Sequence, residues 1–108
     1  MTAPRITPQQ AWDGFIAGNE RFITGTSNHP NQDVERRSEL ANKQQPNVAL
    51  FGCSDSRLAA EIIFDCGLGD LFIARNMGHV VAESITASME YAVQYLGSAL
   101  IVVLAHDS

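Results

Sequence analysis

Three short apolar runs, separated by two helical patterns, constrain the fold of this chain more than any other feature of its sequence. The runs are Val48–Cys53, 71–74 and 99–105. Their lengths and their content of β-branched and aromatic residues are typical of buried strands. The intervening segments 58–65 and 84–96 have the apolar spacing of helices, and Asp55 or Ser56 is available to cap the first of them. The order strand, helix, strand, helix, strand predicts an α/β domain with a parallel sheet and right-handed crossovers.

The sequence before these runs predicts a helical arm. Thr7 is suited to cap a helix, Pro8 suits its first position, and Gln10 completes a capping box. Several apolar side chains then fall roughly along one face of this helix: Trp12, Phe15, Ile16 and Phe22. This apolar stripe has to pack either against the core or against another subunit.

A second, mostly polar helix is predicted from Asp33 to a point before Pro46, because the residue that precedes a proline is disfavoured in a helix. The sequence pattern changes at this proline. Residues 1–46 are therefore predicted to form an N-terminal helical arm, and residues 47–108 the first part of an α/β domain.

The charge balance and the cysteines limit the classes of function. The chain has 7 Lys and Arg against 12 Asp and Glu, which gives a net charge of −5. Without a basic cluster, this balance argues against nucleic acid or an anionic membrane as partner. No apolar run is long enough to span a bilayer, and the N-terminus lacks the apolar core of a signal peptide. We therefore expect a cytoplasmic protein whose two cysteines are thiols or metal ligands rather than a disulfide.

Chemistry-bearing residues follow the predicted strands. Cys53 ends the first run, and His106 directly follows the third. If the strand order is 2-1-3, the first and third strands are neighbours about 4.8 Å apart, and ligands bind at such a carboxyl edge. Because thiolate and imidazole are ligands that zinc prefers, the sequence predicts a zinc site at Cys53 and His106.

Asp55 and Arg57 lie in the loop that follows Cys53. In an arbitrary protein they would be a helix-capping aspartate and a surface arginine. Beside a metal ligand, Arg57 would keep Asp55 ionised through a charge-assisted hydrogen bond. Asp55 would then accept a hydrogen bond from a water molecule on the metal, or would itself take the fourth ligand position.

The remaining cysteine and a loop histidine are given structural interpretations. A helix of roughly 12 Å separates Cys66 from Cys53, so we reject both a disulfide between them and a shared metal. Cys66 is interpreted as a small, buried apolar residue. His79 follows the second strand and could flank the ligand-binding crevice at the carboxyl edge of the sheet, although a structural or solvated role is the simpler interpretation.

Six sequence segments together resemble the β-class carbonic anhydrases. They are CSDSR at 53–57, EIIFD at 61–65, GLGDLF at 67–72, RNMGH at 75–79, EYAV at 90–93 and IVVLAHDS at 101–108. The resemblance covers residues 44–108 closely and the arm more loosely, with the motifs in the family's order and spacing. It implies a zinc enzyme that interconverts carbon dioxide and bicarbonate.

The resemblance also assigns roles to individual residues. Cys53 and His106 match two of the three protein ligands of the zinc ion. Asp55 and Arg57 match the pair that orients the reacting water, and in a closed state of the family this aspartate ligates zinc. Other residues match the substrate pocket: Gln44, Phe72, Met77 and Tyr91. Family members are homodimers or higher homo-oligomers whose N-terminal helices wrap around a neighbour, and part of the pocket wall comes from that neighbour.

The family's third ligand is a cysteine at the position that would follow Ser108, where the given sequence ends. We expect one Zn²⁺ per full-length subunit. The 108-residue chain alone is expected to expose one face of its third strand, to bind zinc poorly and to lack carbon dioxide hydration activity.

Three alternative functions remain open at the level of sequence. The chain could be a non-catalytic oligomeric fragment, or a carbonyl sulfide or carbon disulfide hydrolase that uses the same zinc motif. It could also be a thiol-based phosphatase, because Cys53 lies between a strand and a helix N-terminus. However, the interval between Cys53 and Arg57 is shorter than the phosphate-cradling loop of such phosphatases.

Overall fold

A three-stranded parallel sheet with the order β2-β1-β3 forms the centre of the fold. The computed structural model describes residues 1–107; Ser108, the last residue of the predicted α/β domain, lies outside them. The strands are β1 (Val48–Cys53), β2 (Leu71–Asn76) and β3 (Leu100–Leu104). The predicted parallel sheet and its 2-1-3 order are confirmed. All six residues of β1 are buried, as expected for a central strand covered on both faces.

Within the described residues 1–107, four helices accompany the sheet. They are α1 (Pro8–Ile23), α2 (Val34–Glu39), α3 (Ala60–Ile63) and α4 (Glu83–Gln94). Helix α2 ends well before its predicted limit, and none of its residues is buried. Because tertiary packing supplies most of a helix's stability in a protein, a polar segment without a buried face sustains fewer turns. Among residues 1–107, no helix is both long enough and apolar enough to cross a membrane.

Helix α3 differs most from its prediction. It has only 4 residues, and its N-cap is Ala59, which provides no side-chain cap. The suggestion that Asp55 or Ser56 caps this helix is therefore wrong. The Asp55 carboxylate is bound by Arg57 instead, and the Asp55 carbonyl accepts the Leu58 N–H at 3.1 Å in a preceding turn.

Helix α1 begins with the predicted capping box. Thr7 Oγ1 accepts the Gln10 N–H at 3.1 Å, and Gln10 Oε1 accepts the Thr7 N–H at 2.9 Å. One face of the helix packs on the chain's own core, where the Phe15 ring stacks on Phe64 with centroids 3.7 Å apart. Trp12 and Phe22 remain more than two-fifths exposed. The contact of the arm with a partner subunit stays a prediction.

A buried aspartate attaches the arm to the α/β domain. Asp65 accepts hydrogen bonds from Arg21 Nε at 2.6 Å, from the Asn28 N–H at 2.8 Å and from the His29 N–H at 2.9 Å. The Asn28 amide, followed by the Arg21 guanidinium, lowers the pKa of Asp65 to about 2. The carboxylate is therefore ionised near neutral pH and fixes the segment that follows α1.

Strand β3 is an edge strand with two different faces. Leu100, Val102 and Leu104 pack against the core that α1 also covers. On the other face, Ile101 is 46% and Val103 is 64% exposed. The expectation that one face of the third strand is exposed in this chain is confirmed.

Candidate metal centre

Cys53 and His106 lie together at the carboxyl edge of the sheet. Cys53 is the last residue of β1, and the register pairs the preceding Gly52 with Leu104 at the end of β3. His106 follows two residues later and forms a side-chain hydrogen bond with Cys53. Cys53 is 3% exposed. The parallel pairing of β1 and β3 thus brings the two predicted ligands together.

The surroundings of Cys53 favour the thiolate. The Gly78 N–H, the His106 side chain and the Asp55 N–H together lower the pKa of Cys53 to about 7. The backbone hydrogen bond from Gly78 is the largest of these effects. Because the thiolate is the form that binds metals, a thiol with this pKa is already a competent ligand near neutral pH.

Asp55 and Arg57 form a bidentate ion pair beside this thiol. Arg57 Nε donates to Asp55 Oδ1 at 2.9 Å, and Arg57 Nη2 donates to Oδ2 at 2.7 Å. The Arg57 N–H also reaches Oδ1 at 2.9 Å. These bonds from Arg57 hold the pKa of Asp55 well below its usual range. Both carboxylate oxygens of Asp55 accept hydrogen bonds from Arg57 in this arrangement. Ligation of zinc by Asp55 in a closed state stays a prediction.

Arg75 is a member of the site that the sequence pattern did not single out. Its Nε donates to the Cys53 carbonyl at 2.7 Å, and its Nη2 donates to the Asp55 carbonyl at 2.7 Å. Arg75 is paired with Gly52 near the end of β2. The sequence could have indicated this role, because Arg75 lies at the carboxyl end of the strand beside β1 and parallel neighbours end at the same edge of the sheet.

The donor set fits zinc in part. A cysteine thiolate and a histidine imidazole are two of the usual protein ligands of zinc. Over the described range 1–107, no group of three or more His, Cys, Asp and Glu side chains is placed to hold a metal ion. The structure thus supplies two adjacent donors, with the Asp55 carboxylate held by Arg57.

The predicted pocket residues do not all meet at this edge. Phe72 is paired with Ala49, which is about 13 Å along β1 from Cys53. Tyr91 lies beside Phe72, with ring centroids 6.0 Å apart. Gln44 precedes the opposite, amino end of β1, where it lines an open groove with Leu40 and Gly69.

Met77 differs from the other predicted pocket residues, because it directly follows β2 at the carboxyl edge, where it is 72% exposed. Within one chain, Met77 is therefore the predicted pocket residue that lies at the same edge as Cys53.

Cys66 and His79 have the environments of structural residues. Cys66 is unpaired and half-buried rather than fully buried as the sequence predicted, and this partial burial raises the pKa of its thiol to about 12. Cys53 is likewise a free cysteine in this structure. The His79 ring meets Phe51 edge-on with centroids 5.1 Å apart, and its buried Nε2 has no hydrogen-bond partner among residues 1–107.

The fold and the paired thiol and imidazole define an α/β protein with a candidate metal centre at the switch point of its sheet. A family model described as carbonic anhydrase matches residues 48–108. Together with the relatives described next, this match shows that the chain belongs to the carbonic anhydrase family, in its β class.

Curated relatives from mycobacteria match nearly the whole chain. Carbonic anhydrase 2 of Mycobacterium tuberculosis is 52% identical over 105 residues, which are 97% of this chain and 51% of the relative. A carbonic anhydrase of Mycolicibacterium smegmatis is 50% identical over 105 residues, again 97% of this chain and 51% of the relative. The chain thus spans about half the length of these relatives.

A solved structure gives the same result for the fold. It is described as one of two tetrameric β-carbonic anhydrases from the filamentous ascomycete Sordaria macrospora. It superposes with a TM-score of 0.62 at 32% identity, and the match covers 93% of this chain and 46% of that one.

Proposed function

We propose that this chain provides two zinc ligands and the water-orienting pair of an enzyme that reversibly hydrates carbon dioxide to bicarbonate and a proton. The observation that carries the proposal is the hydrogen-bonded Cys53–His106 pair, with the Asp55–Arg57 ion pair beside it, in a chain of the carbonic anhydrase family. In the proposal Cys53 binds as the thiolate and His106 as the neutral imidazole. The third protein ligand is a cysteine at the position that would follow Ser108.

Zinc, when bound, supplies the Lewis acidity that makes water a nucleophile near neutral pH. The protein's own part is to orient that water. An ionised Asp55 accepts a hydrogen bond from the water, which points a lone pair of its oxygen toward carbon dioxide. Arg57 keeps the carboxylate ionised and fixes its plane, because a bidentate guanidinium pair restricts both position and rotation.

The substrate pocket is proposed to be completed by a second copy of the chain. Gln44, Phe72 and Tyr91 lie away from Cys53 within one chain, so they could wall the pocket of a neighbour instead. A tetrameric relative supports a homo-oligomer, as do the exposed apolar side chains of the arm. In such an assembly, residues 1–46 act as the arm that packs on the partner. We also propose a cytoplasmic location.

Two alternative functions differ from the proposed one in their substrates. Hydrolysis of carbonyl sulfide or carbon disulfide would use the same ligands, and direct substrate assays distinguish it from carbon dioxide hydration. The lowered pKa of Cys53 would also suit a thiol-based phosphatase. Against that alternative, Arg57 Nε and Nη2 are already bound by Asp55, and the interval between Cys53 and Arg57 is shorter than a phosphate-cradling loop.

The test combines zinc stoichiometry with turnover in the intact polypeptide, whose mass is determined first. Cys53→Ala and His106→Ala are expected to abolish stoichiometric zinc binding and carbon dioxide hydration. Cys66→Ala is the matched control, because this half-buried thiol follows α3, away from the pair, and its raised pKa keeps it protonated. Zinc binding that survives both Cys53→Ala and His106→Ala would contradict the proposal, as would turnover without zinc. Activity and stoichiometric zinc in a sample of 108 residues would contradict the need for a third ligand.

A further inference from the structure

The loop that follows β2 lies directly against Cys53. The last pair of the β1–β2 register joins Cys53 to Asn76, and the Ser54 N–H continues the ladder by donating to the Asn76 carbonyl at 3.1 Å. The chain then turns away and returns at Val80. This loop, residues 76–80, contributes no side chain that the mechanism above uses at the reacting centre.

The side chain of Asn76 closes this loop through two hydrogen bonds. Its Nδ2 donates to the Val80 carbonyl at 2.6 Å, and its Oδ1 accepts the Val80 N–H at 2.9 Å. Between these ends, Gly78 and His79 have φ values of +81° and +58°. Two successive left-handed residues make a tight reversal, and glycine is the residue that adopts this conformation without strain. A Cβ at Gly78 would meet nothing within 4 Å, so the glycine serves the backbone conformation rather than close packing.

The reversal directs a backbone donor at the candidate metal ligand. The Gly78 N–H donates a hydrogen bond to the Cys53 thiol. On the other side of the loop, the His79 ring packs edge-on against Phe51, two residues before Cys53. The loop is thus fixed at its ends by Asn76 and at its tip by Phe51, with the Gly78 amide held between these two anchors.

We propose that Asn76 is a positioning residue for the Cys53 thiolate: by closing the loop to Val80, its carboxamide holds the Gly78 N–H on the sulfur atom. The inference rests on the proposed function in assigning Cys53 to zinc. Hydrogen bonds to a ligating atom orient it and tune its basicity, and loss of such a partner typically weakens metal binding by about 10- to 100-fold. Asn76 therefore affects the metal without touching it.

The first measurement needs no metal. In the metal-free protein, the Gly78 amide is expected to be protected from hydrogen exchange. Asn76→Ala should speed its exchange about tenfold, because the loop loses both bonds that close it. Cys53→Ala should speed the same exchange, because it removes the acceptor and leaves the Asn76–Val80 bonds intact. A merely structural loop would be insensitive to Cys53→Ala, so unchanged Gly78 exchange in either variant would overturn the inference.

The second measurement is the zinc dissociation constant, obtained in the intact protein by competition with a chromophoric chelator. Asn76→Ala should weaken zinc binding about tenfold. Asn42→Ala, a change at an exposed asparagine outside the loop, should leave it unchanged. Protected amides in the β2 segment 71–73 would show that the variant is folded. Unaltered zinc affinity in folded Asn76→Ala would overturn the inference. A wild-type protein that binds no zinc at Cys53 would overturn the proposed function instead, and Gly78 exchange would still decide the role of Asn76.

Discussion

The packing of the arm on its own domain predicts unequal effects of the same deletion at two positions of α1. Phe15 is 5% exposed and Phe22 is 42% exposed. For a side chain of roughly 200 Å², this difference of 37 percentage points corresponds to roughly 75 Å² of additional burial at Phe15. At about 25 cal/mol per Å², Phe15→Ala should therefore lower the free energy of unfolding by about 2 kcal/mol more than Phe22→Ala. Both changes replace phenylalanine by alanine within one helix, so the difference in helix propensity cancels.

The assay is urea unfolding of both variants at low protein concentration, with a second series at high concentration. A cavity left beside the stacked Phe64 ring would increase the Phe15 effect further. Equal effects of the two substitutions would refute the reasoning, since they would show that the arm is not held by its own core. A Phe22→Ala effect that grows with protein concentration would place Phe22 in the contact between chains.

Three further predictions concern the arm and the site. Gly18→Ala should destabilise the protein by about 1–3 kcal/mol, because a Cβ there would overlap a backbone carbonyl oxygen. Gly14→Ala should instead stabilise the protein by about 1 kcal/mol, because a Cβ at Gly14 would meet nothing within 4 Å. Urea midpoints that rank Gly18→Ala above Gly14→Ala in stability would contradict both expectations. Asp65 has its pKa lowered to about 2 in the folded protein, so its stabilising effect is present above pH 3.8 and is lost as the pH falls toward 2. The difference in the free energy of unfolding between wild type and Asp65→Asn should therefore shrink as the pH falls from 3.8 toward 2. A difference that stays constant would show that the ionised Asp65 carboxylate is not its source. On the proposed function, Arg57→Gln should raise the pKa of Asp55 toward its ordinary value, retain zinc and slow carbon dioxide hydration by the intact polypeptide about 100-fold in a stopped-flow indicator assay. Unchanged turnover would exclude the ion pair from the proposed mechanism.

The elements that could be predicted from the sequence are those set by local patterning. The run 48–53 is apolar throughout, so it indicated a central strand, and its alternation with helical segments indicated parallel pairing. That pairing in turn placed Cys53 beside His106. The capping box at Thr7 is equally local, because both of its hydrogen bonds lie within four residues.

The features that were not predicted depend on contacts between distant residues or on backbone conformation. Helices α2 and α3 are shorter than their patterns suggested, because α2 buries no residue and the Asp55 carboxylate is bound by Arg57. Arg75 acts on two backbone carbonyls, and Gly78 acts through its own amide. Neither role can be recognised from the types of residue involved, because any backbone carbonyl can accept a hydrogen bond and almost any residue can donate its backbone N–H.

The buried aspartate that anchors the arm also sets an order of events during synthesis. Arg21 precedes Asp65 by 44 positions. At roughly 5–20 residues per second, the arm emerges about 2–9 s before its anchor exists. During that interval the apolar face of α1 has neither its own core nor the carboxylate to hold it. The nascent arm is therefore open during this time to chaperones, or to the arm of a neighbouring chain on the same messenger RNA.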